Sequence, residues 1–420
     1  MTTSPGETAD AEPSRRRGGA WAALREPQYR ILWLATIFAI VTAELRLIVT
    51  GVWLYNETGS AAQLGVLGLI QLFVQIPALL FGGTLADRLD RRLLMAWTQA
   101  VTFVFVAGLA ALAVAGQLEP WHVYFATAVL SVSTVFGNPA RAALISATVP
   151  PEQLVDAVTT NWMTQQVAIV AAPLGFAATV QLLDLTSAFV LTALVAIPSV
   201  ILPLLLHVRA VPALARVGGS MLRRTWDGLK FVRGHPLLPA LFFMDTGVTI
   251  VSFYRQMYPV LADQLFDGGA TTVGLLTAAN SAGAIAGSFA ILNLRRVKRT
   301  GLMVLIAHLT YAILLFPFAL IHWLPIGLLC IAGLGGMDAI SVTMRQATAQ
   351  LSTPDEMRGR SLSVMTLSAQ TANNVGTLWV GMLSAAIGAS GTLLVGGTMS
   401  LTFVLGVWQR VRGLREYRAP

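Results

Sequence analysis

The sequence predicts an all-α polytopic membrane protein, with twelve transmembrane helices in two pseudo-symmetric six-helix halves. Three observations carry that expectation. Hydrophobic residues fill 55% of the 420 positions and charged residues only 11%, about half the charge of a soluble domain. The apolar residues form long stretches without a polar face, as lipid-exposed helices require. Of the 28 Lys and Arg, all except Arg46 and Arg255 fall in the terminal segments, in alternate loops or at the helix ends beside them. That one-sided distribution is the positive-inside pattern, so the net charge of +8 reports topology and gives no reason to expect a nucleic-acid partner.

The first 20 residues are polar, carry Arg15, Arg16 and Arg17, and hold no apolar core for a cleaved signal, so 1–30 reads as a cytoplasmic tail. Apolar spans follow near 31–55, 62–82, 93–115, 121–143, 155–182 and 185–207, giving an N-terminal half over 31–208. A linker, 209–235, contains an amphipathic stretch with Arg223 and Asp227 four apart, a spacing that lets them pair on a helix lying in the interface. Further spans near 236–262, 271–293, 301–320, 323–347, 360–387 and 391–409 give a C-terminal half over 236–410, and 411–420 is a second cytoplasmic tail. Both termini are thus expected on the cytoplasmic side of an inner membrane. Cys330 is the sole cysteine, which excludes a disulfide framework. No phosphate-binding glycine loop surrounds either lysine, so no ATP site and no cofactor are expected, and an ion gradient or the substrate's own gradient must supply energy. A monomer is expected.

The halves repeat one another. At an offset of 204, Arg141 falls on Arg345, Pro150 on Pro354 and Glu152 on Glu356; at 209, Pro27 falls on Pro236, Arg46 on Arg255 and Gly65 on Gly274. A parallel duplication of six spans places a binding site near the midplane between the halves.

Five ionisable residues lie well inside the spans: Glu44, Arg46, Asp245, Arg255 and Asp338. Each opposes insertion by about 2.5–3.5 kcal/mol at mid-bilayer, so they must face a polar cavity or pair. Glu44 and Arg46 are two apart and project from different faces, which makes Arg255 the candidate partner of Glu44. Asp245 is ten residues, about 15 Å, from Arg255. A carboxylate that changes charge as the cavity alternates would couple transport to protons; Glu44 is the first choice and Asp245 the second, with a fixed inter-helix ion pair as the alternative. Gln71, Gln75, Asn161, Gln165, Asn373 and Asn374 are expected to give the cavity a polar wall, or else to hydrogen-bond between helices. His308 reads as a packing residue. Gly283 and Gly287 mark a close helix contact, and Pro173 with Gly175 partly matches an antiporter kink motif.

Between spans 2 and 3 runs GGTLADRLDRR, residues 82–92, a tight charged hairpin. It resembles the corresponding loop of the major facilitator superfamily. With PARAAL at 139–144, VPPEQLVDA at 149–157, YPVLAD at 258–263 and TPDEMRGR at 353–360, the chain looks like the branch containing the enterobactin exporter and macrolide or multidrug efflux proteins, over residues 27 to 410. The resemblance implies a secondary transporter, not an enzyme, that exports an amphipathic small molecule, by proton antiport, with spans 1, 4, 7 and 10 around the cavity. It also implies a cytoplasmic gate in which Asp87 meets the start of span 11, carried here by Gly83, Asp87, Arg88, Arg91, Arg92, Arg141, Arg345 and Arg358. The family's usual glycine is Asp90 here, and the mirrored place in the second half, near Arg296, is basic only. Lipid or lysolipid transport on the same fold, and a non-transporting sensor, remain open alternatives.

Overall fold

The structure, a computed structural model, describes residues 21–86, 90–207, 221–294 and 299–417. These are helical almost throughout. In chain order the helices are α1 (Pro27–Thr58), α2 (Ala61–Ala86), α3 (Arg91–Val114), α4 (Pro120–Thr148), α5 (Leu154–Leu182), α6 (Leu185–Leu204) and α7 (Met221–Gly234). There follow α8 (Leu238–Ser252), α9 (Tyr258–Phe266), α10 (Ala270–Leu294), α11 (Thr300–Leu320), α12 (Leu324–Leu351), α13 (Asp355–Arg410) and α14 (Arg412–Glu416). Proline at the first turn of α1, α4, α8 and α12 begins a helix where no backbone donor is lost. The repeat is visible in the starts: α2 and α10 begin 209 residues apart, as do α3 and α11, while α4 and α12 begin 204 apart.

Ten helices among the described residues are long and apolar enough to cross a bilayer. The expected twelve crossings depend on two further elements. At 56 residues α13 is about 84 Å long if straight, far beyond a bilayer. It breaks at Gly388, whose φ of 76° no side-chain-bearing residue adopts comfortably, into arms 355–387 and 389–410. The span expected at 236–262 is not one continuous helix: α8 ends at Phe253 (ψ 89°), a 3-10 turn Arg255–Met257 follows, and α9 completes the rod. The chain bends by 107° between 225–234 and 238–266, laying α7 across the end of the bundle.

Helices α1–α6 pack on one another, as do α8–α13, and the two bundles meet mainly through α2 against α13 and α5 against α10. We call the end bearing Pro27 and Arg410 the terminal face and the opposite end the far face. Close backbone approach seals the far face. A Cβ at Gly65 would press on Leu378 and Gly381, one at Gly68 on Thr377 and the Asn374 carbonyl, and one at Gly274 on Ala177 and the Pro173 carbonyl. Within the C-terminal bundle, Gly283 and Gly287 lie against the carbonyls of Ala332 and Gly336, so α10 and α12 touch along the small-residue row.

The polar bonds between bundles also lie from mid-depth to the far face. Tyr55 donates to Asp263 Oδ2 at 2.8 Å, Thr271 to Gln181 Oε1 at 3.0 Å, Gln256 to Gln71 Oε1 at 3.2 Å and Asn374 to Gln75 Oε1 at 3.3 Å. At the terminal face α7 packs on α13 and also touches α2 of the other bundle. Among the described residues the bundle-to-bundle bonds therefore gather toward the far face, and cavity space separates the bundles nearer the terminal one, between Trp162 and Thr366.

Candidate functional site

Three neighbouring cavities with partly shared walls lie between and within the bundles. The largest, about 580 Å³, has Trp162 and Gln166 of α5 on one wall and Asp245, Asp338, Arg345 and Asn373 of the C-terminal bundle on the other. Gln166, Phe253 and Arg255 are shared with a second, about 300 Å³, which Glu44, Arg46, Gln71, Gln256 and Tyr258 also line. A third, about 260 Å³, lies inside the N-terminal bundle against Glu44, Arg46, Gln99, Arg141 and Gln165. All five intramembrane ionisable residues thus face cavity space, which removes most of the insertion cost a lipid-facing charge would carry.

Arg255 stands on the 3-10 turn that interrupts the α8–α9 rod, and the break turns its guanidinium into the cavity. Its Nη2 donates to Asn280 Oδ1 at 3.3 Å, and Asn280 Nδ2 donates to the Tyr254 hydroxyl at 2.8 Å. Its charge acts on Asp338 and Glu44 together. Glu44 feels Arg255 and Arg46, yet no ion pair within 4 Å joins it to either among the described residues. The interaction runs across the cavity rather than through contact.

Asp245 is arranged differently. It is 7% exposed, in direct ion pair with Arg345, itself 5% exposed, and its Oδ1 lies 3.9 Å from His308 Nε2. The Ser341 hydroxyl is 2.9 Å from His308 Nδ1, which also lies 3.0 Å from the Val304 carbonyl. Arg345, expected at the gate, is therefore bound into the cavity wall beside α8. His308, expected to be a packing residue, lines the main cavity beside an ion pair. Its position on α11 gave no sign of this, because α12 and α8 supply its neighbours.

The amides divide between two jobs. Gln71, Gln75 and Asn374 bond across the α2–α13 seam or to α9's approach, while Asn373 and Gln165 line cavities. Asn161 is half-buried and lines none of the three; it lies a turn closer to the terminal face, beside Ala157, whose carbonyl takes the Tyr29 hydroxyl. Tyr258 and Gln256 were missed: both line the second cavity, and the Tyr258 hydroxyl and Gln256 Oε1 are buried without a hydrogen-bond partner.

Of the expected gate, Asp87 and Arg88 lie outside the described residues, as do the surroundings of Gly83 and the Arg358 side chain. Arg91 opens α3 and is half-buried. Arg92 has its backbone N–H capped by Asp90 Oδ1 at 2.9 Å, and its Nη2 donates to the Leu204 carbonyl at 2.9 Å, tying α3 to the end of α6 within one bundle. Asp227 of α7 takes Arg360 of α13 at 3.4 Å, the contact that joins the linker helix to the C-terminal bundle. Arg141 sits in the third cavity.

Comparison with known proteins agrees with this architecture. Residues 18–418 match the family model described as transmembrane secretion effector. The enterobactin exporter EntS of Escherichia coli O81 (strain ED1a) is 25% identical over 402 residues, 90% of this chain and 92% of that one, and EntS of Shigella boydii serotype 18 matches to the same extent. Among solved structures, a point mutant of the nucleoside transporter NupG superposes with a TM-score of 0.75 at 12% identity, covering 91% of this chain and 99% of its own. A bacterial homologue of the human lysosomal transporter Spinster, inward-facing and unoccupied, gives 0.64 at 14% identity, over 93% and 96%.

Proposed function

Because this chain belongs to the transmembrane secretion effector family, and is a multi-pass secondary transporter that exports small molecules, we propose that its cargo is an amphipathic molecule of drug, macrolide or siderophore type. In this reading the terminal face is cytoplasmic, the membrane is the inner one, and twelve crossings rock about the cavity by alternating access. EntS, by its name, exports enterobactin; a related cargo suits a cavity walled by both aromatic and charged groups.

The observation that carries the proposal is the central cavity itself, sealed at the far face by backbone contacts and separating the bundles nearer the terminal face, with Glu44, Arg255 and Asp338 facing one another across it. Glu44 is the acid we assign to proton exchange. Protonating Asp245 would strand Arg345 in a buried wall, which is costly; Glu44 has no contact partner to strand. Protons entering from the far face neutralise Glu44, weaken its attraction to Arg255 on the opposing bundle, and release the halves to change their relative tilt.

The test is accumulation of a labelled panel of drugs, macrolides and siderophores in cells expressing the protein, with and without a protonophore. Reduced accumulation that the protonophore reverses, and that Glu44→Gln abolishes while membrane levels hold, is the expected result. Efflux of a panel member that persists unchanged in Glu44→Gln would overturn the coupling assignment.

A further inference from the structure

The duplicated arginines Arg141 and Arg345 occupy equivalent places on α4 and α12 but meet different surroundings. Arg345 has Asp245 in contact and His308 beside it. Carrying the repeat offsets across, the N-terminal bundle holds Thr36 where the C-terminal one holds Asp245, and Gln99 where it holds His308. Neither replacement carries a charge. Arg141 makes no ion pair and donates no hydrogen bond among the described residues; the Nε of both arginines is buried without a partner, so what separates them is the carboxylate that only Arg345 has. The Thr36 hydroxyl, one turn from Ala39 and Ile40 of the same cavity wall, is buried and unpartnered too. A guanidinium has five donors, and in this half-buried place on a cavity wall none of them meets a protein acceptor, which leaves them free for whatever fills the site.

What surrounds Arg141 is space, about 260 Å³, with Arg46 as a second cation and Glu44 as the one acid on its wall. Glu44 is shared with Arg46 and Arg255, so the balance in this pocket is positive. Gln99, Asn138 and Gln165 add amide donors around it. We infer that this pocket in the N-terminal bundle is an anion subsite, which binds a carboxylate, phosphate or similar acidic group through Arg141. The anionic group supplies the charge that Asp245 supplies to Arg345. Resting on the export reading above, the inference narrows the cargo to amphipaths with an acidic head, whose apolar body extends into the main cavity past Trp162.

The same chemistry could come from a lipid headgroup, and the test separates the two sources. Protein in phosphatidylcholine nanodiscs is titrated by calorimetry with 1-naphthylacetate and with its neutral amide, 1-naphthylacetamide. The anion should bind about tenfold or more tightly than the amide, as a charge-assisted pair in a partly dry site implies. Arg141→Gln should bring both probes to the amide's affinity; Arg412→Gln, an exposed charge, should change neither. Since Arg141→Gln could perturb folding, Thr36→Asp serves as a second variant: it gives Arg141 an acid of its own and should remove the preference with the arginine in place. Replacing a quarter of the lipid with phosphatidylglycerol should leave the preference intact. If that lipid competes the probe away, the occupant is a headgroup and the cargo inference is wrong. Equal affinity for acid and amide in the wild type, or a preference surviving Arg141→Gln and Thr36→Asp, overturns the subsite. An anion preference without cellular efflux would sink the export reading and leave the pocket standing.

Discussion

In the C-terminal bundle Asp245, His308 and Arg345 neutralise one another within the wall. In the N-terminal bundle the equivalent positions hold Thr36, Gln99 and Arg141, and the arginine faces a cavity with no carboxylate in contact among the described residues. The scaffold is duplicated and the charge is not. One bundle is finished by its own side chains, whereas the other exposes an uncompensated cation where the cavity deepens.

The largest effect should come from breaking the finished side. Arg345→Leu leaves Asp245 buried without a partner and should cost about 3–5 kcal/mol, read as a fall in melting temperature in detergent. The double variant Asp245→Leu with Arg345→Leu should recover most of that loss. Arg141→Met, at the equivalent place, should cost far less or even stabilise, since no protein partner is stranded. Equal losses for the two arginines would dissolve the comparison.

Next in size are the seams between bundles. Gly68→Ala and Gly274→Ala each force a methyl into opposing backbone, an overpacking worth about 1–3 kcal/mol. Both should weaken far-face closure, seen as faster thiol labelling of a cysteine introduced at the buried Val52 in a Cys330→Ala background. Gly108, which faces open space, should tolerate alanine without change. Tyr55→Phe removes the bond to Asp263 across the same face and should favour far-face opening by about 1 kcal/mol, by the same labelling.

The smallest contrast is at the helix starts. His235 Nδ1 accepts from the backbone N–H groups of Leu237 and Leu238 at 3.2 and 3.3 Å, capping α8, whereas its counterpart Glu26 gives α1 no side-chain cap. Burial lowers the His235 pKa, partly offset by a hydrogen bond to the Ser352 backbone. The folded state therefore binds fewer protons than the unfolded one just below the ordinary histidine value, near 6.5. Stability from this cap is full above that value and declines as pH falls through it. A shallow loss of melting temperature below about pH 6.5, absent in His235→Gln, is expected.

Much of this was legible in the sequence for identifiable reasons. Hydropathy marks a span wherever lipid is the solvent, and Gly65 on Gly274 betrayed the repeat because both sit at bundle seams where only a hydrogen fits. Glu44, Arg46, Asp245, Arg255 and Asp338 were found because charge within an apolar stretch is conspicuous. The partners were not. The Asp245–Arg345 pair joins residues a hundred positions apart, and Arg345 lay too near a helix end to be distinguished from a topology-setting arginine. His308 became a cavity residue only when α8, α11 and α12 came together. The break at Phe253–Met257 was hidden because the run Phe-Tyr-Arg-Gln-Met holds no glycine or proline, and Pro259 comes only after the turn.

The most direct test of the account is a pair of spin-label distances in a Cys330→Ala background. One pair, Val155 with Leu351, reports the terminal face; the other, Leu183 with Trp323, reports the far face. Lowering the pH should lengthen the terminal-face distance and shorten the far-face one together, as protonated Glu44 carries the far-face-open state back, and Glu44→Gln should fix the distribution at all pH values. Distances that ignore pH in the wild type, or a full pH response retained in Glu44→Gln, would contradict proton-driven alternation through Glu44.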